Sequence, residues 1–92
     1  MSKGNIEKIK LHILKKLFDQ RCWMHKHFNI NNIPQGLPPH ARDSSIIKKA
    51  IDNLIKNKWL LSKSTHYGLE LSLNIDKKKE IEEYIENNLF QI

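Results

Sequence analysis

At 92 residues, 39% hydrophobic and 8% aromatic, the chain holds enough apolar material for one domain with a modest core and too little for a second. A single Cys22 excludes an intramolecular disulfide, and no apolar run approaches the roughly 20 residues of a membrane-spanning helix. The net charge of +6 is unevenly spread: residues 1–41 carry +5, residues 42–63 carry +4 and residues 64–92 carry −3, which suits a polyanion docking on one face.

The amino terminus leads straight into an amphipathic pattern without the apolar block of a signal peptide, which points to a cytoplasmic protein. A first helix is predicted from about Asn5 to Gln20. Ile6, Ile9, Ile13 and Leu17 form one row with Leu14 and Phe18 beside it, and Glu7, Lys8, Lys10, Lys15, Lys16 and Asp19 face water. The segment Arg21 to Phe28 reads as a short first strand. Alternation then puts Trp23, His25 and His27 on one side, with Met24, Lys26 and Phe28 on the other. From Asn29 to His40 turn formers dominate. Asn29 can cap one short helical turn through Ile33, and Pro34, Pro38 and Pro39 forbid a long helix.

The centre of the chain, Arg42 to Leu73, reads as one helix followed by one β-hairpin. Asp43 and Ser44 are residue types that cap a helix start, and Ile47, Ile51, Leu54 and Ile55 recur at helical spacing up to about Lys58. The opposite face carries Ser45, Lys48, Lys49, Asp52 and Lys56. The period then changes to two: Trp59-Leu60-Leu61, a polar turn over residues 62–68, and Leu69, Leu71 and Leu73 alternating with Glu70 and Ser72. A last helix is predicted from Asn74 or Asp76 to about residue 90. Its stripe is Ile81, Tyr84, Ile85 and Leu89, and its acidic exterior of Glu80, Glu82, Glu83 and Glu86 suits a partner helix better than a nucleic acid. Lys77, Lys78 and Lys79 sit in its first turn, where the helix dipole disfavours cations.

Three clusters point to nucleic-acid contact. His40, Arg42, Ser44 and Ser45 lie at the start of the central helix, where free N–H groups and the positive dipole end suit a phosphate. Lys48, Lys49, Asp52 and Lys56 cover the exposed face of a helix whose width a B-DNA major groove admits. Lys63, Thr65, His66 and Tyr67 occupy the hairpin turn, within reach of flanking backbone or minor groove, and His25, Lys26 and His27 form a secondary strip. Lysine neutralises phosphates well but reads bases less sharply than arginine, so backbone-dominated, modestly specific binding is expected. Cys22, His25, His27 and His40 have the residue types of a zinc site, but their spacing matches no standard structural pattern, and neither metal nor cofactor is expected. Cys22, Trp23 and Trp59 read as core residues. No motif fixes a nucleophile with a base and no glycine-rich phosphate loop exists, so neither an enzyme nor a small-molecule substrate is expected.

Two stretches carry a resemblance: Ile47-Lys48-Lys49-Ala50-x3-Leu54-Ile55-Lys56-x-Lys58-Trp59-Leu60, and Tyr67-Gly68-x-Glu70-x-Ser72-Leu73-Asn74. They resemble the third helix, strand and wing of winged helix-turn-helix proteins. With Gly36-Leu37-Pro38-Pro39-His40 ahead of that helix, the chain is most similar to small stand-alone archaeal members. The resemblance implies an α+β fold over residues 1–92, with a three-helix core, a two- to three-stranded wing sheet and an additional carboxy-terminal helix over about residues 76–90 for homodimerisation. It implies binding of double-stranded DNA in transcription regulation or chromatin, with helix and wing roles for Ser45, Lys48, Lys49, Lys63 and His66. The superfamily also has RNA-binding, ribosome-associated and purely protein-binding members, so an RNA or ribosome ligand and a protein-interaction module stay open as alternatives.

Overall fold

The computed structural model describes residues 2–88. It is an α+β arrangement of three helices and one three-stranded antiparallel sheet. Helix α1 runs Ser2–Asp19, strand β1 Phe28–Asn29, helix α2 Ser44–Lys56, strand β2 Leu60–Thr65, strand β3 Gly68–Leu73 and helix α3 Lys78–Asn88. Leu89, expected in the stripe of the last helix, lies outside the described residues.

Helix α1 buries Ile9, Leu11, Ile13, Leu14 and Leu17, and α2 buries Ile47, Ala50, Ile51 and Leu54 against it. Leu60, Leu71 and Leu73 of the sheet, Ile33 and Leu37 of the proline-rich stretch, and Ile81 and Ile85 of α3 complete the core. Cys22 is buried in it as expected, and the two indoles lie half-buried at its edge. Trp23 meets Phe18 and Trp59 meets Tyr84 edge to face, at centroid distances of 6.0 and 5.5 Å. The apolar stripe of α3 is thus spent inside the chain, where the Tyr84 hydroxyl also donates to the Glu7 carboxylate (2.9 Å).

The chain leaves α1 and α2 in the same way. Arg21 N–H reaches the Phe18 carbonyl and Cys22 N–H the Leu17 carbonyl, at 3.0 and 2.9 Å; Lys58 N–H reaches Ile55 and Trp59 N–H reaches Leu54, again at 3.0 and 2.9 Å. This paired closure of the last carbonyls requires a left-handed residue after the cap, normally glycine. Here Arg21 (φ 55°) and Lys58 (φ 67°) take that conformation, which costs a side-chain-bearing residue roughly 1–2 kcal/mol. Lys58→Gly is therefore expected to be more stable than Lys58→Ala by about 1 kcal/mol in chemical denaturation. Equal stabilities would show that the left-handed turn is not held in solution.

Four expectations are corrected. In place of a three-helix core with an additional carboxy-terminal helix, the described residues form three α-helices in all, because Pro34, Pro38 and Pro39 leave only 3-10 turns between β1 and α2. The segment Arg21 to Phe28 is not an alternating strand: Arg21 and Met24 have positive φ, and only Phe28–Asn29 pairs as a strand, with an isolated bridge at Trp23. The hairpin turn is not seven residues but two, His66 and Tyr67. Ser62, Lys63, Ser64 and Thr65 belong to β2 because ladder bonds use the backbone, which polar residues supply as well as apolar ones. Pro39–Ala41 forms a 3-10 turn where a plain loop was expected. The short turn capped by Asn29 is present: its side chain accepts from Asn31 N–H (2.8 Å) and a 3-10 turn runs Ile30–Asn32.

His12 couples α1 to this region, its Nε2 standing 2.9 Å from the Ile33 carbonyl oxygen. Burial pushes its pKa below the ordinary 6.5, opposed by that carbonyl and helped by nearby Lys16. A folded-state value below the unfolded one favours folding above pH 6.5, and the contribution is lost as the pH falls through 6.5 towards the folded value. Melting temperatures are expected to drop between about pH 7 and pH 5, and His12→Gln to remove part of that slope. Parallel pH profiles of the two proteins would refute the assignment.

Candidate nucleic-acid interface

The central helix begins as its sequence dictates. Asp43 Oδ1 accepts from the Ser45 backbone N–H (2.9 Å) and from the Ser45 hydroxyl (2.7 Å), and these bonds hold the carboxyl below its usual pKa. The expected phosphate seat at this helix start is consequently taken by the chain's own carboxylate. Arg42 and His40 are exposed beside it, but Arg42 Nε is committed to the Leu37 carbonyl (2.8 Å).

Along α2 the inward row of Ile47, Ala50, Ile51 and Leu54 leaves Ser44, Ser45, Lys48, Lys49, Asp52, Asn53 and Lys56 exposed. Lys48 pairs with Asp52 at 3.7 Å, with both side chains mostly in water. The remaining ion pairs among the described residues join Lys10 to Glu7, Lys15 to Asp19 and Lys78 to Glu82. None of them crosses from the acidic α3 to the lysines of α2.

Sheet register divides the hairpin cluster. Opposed residues share a face, so Leu60, Ser62 and Ser64 lie with Leu73, Leu71 and Leu69, whereas Leu61, Lys63 and Thr65 lie with Ser72, Glu70 and Gly68. Lys63 therefore projects from the face opposite the core leucines, directly across from Glu70, while the exposed hydroxyls of Ser62 and Ser64 extend the face on which α2 packs. These two serines were missed; counting by two from Leu60 through a longer strand would have found them. His66 and Tyr67 stand at the tip, the far end of the hairpin from α2.

His25, Lys26 and His27 are exposed, but they precede β1, which forms the edge of the sheet opposite β2. The fold does not bring them to the hairpin tip. Among the described residues no three His, Cys, Asp or Glu side chains gather in a way that would hold a metal ion. No helix among them is long and apolar enough to cross a membrane. No protein-family model, curated protein or solved structure matches the chain.

Proposed function

We propose that the chain is a winged helix-turn-helix protein that binds double-stranded DNA, with α2 in the major groove and the β2–β3 hairpin as a wing on the flanking backbone. The observation that carries this reading is the exposed lysine face of α2, Lys48, Lys49 and Lys56, on the helix that runs directly into the hairpin. The run of α2 straight into the hairpin and the sheet order β1-β3-β2 support it, with the 3-10 turn Ile30–Asn32 standing in the place of the motif's second helix, as does the absence of any ion pair between α3 and that face among the described residues. With lysine as the only cation along the helix, contact is mainly to phosphates, and sequence preference is modest. Fluorescence anisotropy with a labelled duplex of about 30 base pairs, read between about 50 and 200 mM salt, tests this. Affinity that falls steeply with salt supports the reading. Affinity indifferent to salt overturns it, and a structured RNA hairpin that displaces the duplex at matched concentration transfers it to RNA.

A further inference from the structure

Tyr67 is 81% exposed, far beyond Ile75 at 44%, the other large apolar side chain in the open among the described residues. The backbone that displays it is tied on every side. Tyr67 N–H donates to Thr65 Oγ1 (3.1 Å), the Thr65 hydroxyl donates to the Gly68 carbonyl (2.9 Å), and Asn29 Nδ2 reaches across from β1 to the Tyr67 carbonyl (3.0 Å). Asn29 is itself pinned, donating to Glu70 Oε2 (2.6 Å) and accepting from Asn31 N–H (2.8 Å). Gly68, at φ +106°, closes the turn in a conformation that side-chain-bearing residues rarely adopt. The tip is thus ordered before any ligand arrives, and docking on the ring costs little further backbone entropy.

The tip itself carries no lysine or arginine, so phosphate contact by the wing falls to Lys63 below it. Lys63 stands opposite Glu70, and the two turn residues are an imidazole and a phenol. What the tip offers is an aromatic face. In the interior of a duplex the faces of the bases are hidden in the stack, whereas an unpaired base presents one. Counting about 3.3 Å per strand residue, Thr65 stands about 17 Å from Leu60 along β2, so the tip lies well away from the end of α2.

We infer that Tyr67 is a stacking platform for an unpaired nucleobase and that the preferred ligand is a duplex adjoining a single-stranded segment. This rests on the nucleic-acid reading above and specifies its substrate. The test compares a blunt duplex of about 15 base pairs with the same duplex bearing a 3′ or a 5′ overhang of about six nucleotides, its first unpaired base 2-aminopurine. The full chain, Tyr67→Phe and Tyr67→Ser are each measured. At least one overhang probe is expected to bind the native chain and Tyr67→Phe about tenfold more tightly than the blunt duplex, with a change in 2-aminopurine fluorescence on binding. Tyr67→Ser is expected to lose both the preference and the fluorescence change, binding overhang and blunt probes within about twofold of each other. Equal affinity for all probes, or a preference that survives in Tyr67→Ser, overturns the inference and leaves the duplex reading intact. Failure of every probe to bind overturns both.

Discussion

Lys48→Ala combined with Lys49→Ala is expected to weaken duplex binding by about 10- to 100-fold at about 0.1 M salt and to reduce the slope of log affinity against log salt by about 2. Each lysine lies on the exposed face of α2, and each phosphate contact releases close to one counterion. The ion pair between Lys48 and Asp52 does not cancel this. At 3.7 Å, with side chains 75% and 64% exposed, it is a weak surface pair that a phosphate readily displaces. Asp52→Asn should accordingly strengthen binding, the opposite sign to the double lysine variant. Anisotropy titrations at three salt concentrations read both effects. An unchanged slope in the double variant would place the contact elsewhere on the molecule and remove α2 from the interface.

Leu71→Ala is expected to cost about 3 kcal/mol and to lower the melting temperature by about 12–24 °C. Leu71 is wholly buried on the central strand, opposed by Phe28 on one side and Ser62 on the other, so the methyl groups lost leave a cavity that two bonded neighbours prevent from collapsing. In a domain whose total stability is of order 5–15 kcal/mol, that is a large share. Leu69→Ala, two residues nearer the tip on the same face and only half-buried, should cost less than half as much. Thermal denaturation followed by circular dichroism measures both. A loss below about 1 kcal/mol for Leu71→Ala would mean that β3 is not the strand on which the core closes.

The parts of the fold that could be read from the chain are those governed by neighbours three or four residues away. Helix α2 shows its apolar row, its Asp43 cap and its lysine face in fourteen consecutive residues, Asp43 to Lys56. The Asn29 cap was legible for the same reason, because the bond it makes is local. The segment after α1 was not. Its apparent alternation is broken where Arg21, closing α1, and Met24 take positive φ, and the backbone at Cys22 and Met24 is then held by bonds to Leu73, about fifty positions later. The same limit applied to the candidate site. Residue types placed Lys63 and Tyr67 in one cluster, but only the pairing of Lys63 with Glu70 shows that the lysine faces away from the core side, and only the reach of Asn29 to the tip shows that Tyr67 is rigidly displayed.

Local periodicity and capping therefore determined by themselves the existence and the charged face of the central helix, and the hairpin that follows it, because both signals are complete within a short stretch of chain. Register, facing and the immobilisation of the hairpin tip were decided by tertiary structure. A shift of one residue in strand pairing exchanges every side chain between the two faces of the sheet, and nothing in the strand's own composition states which partner residue it will meet.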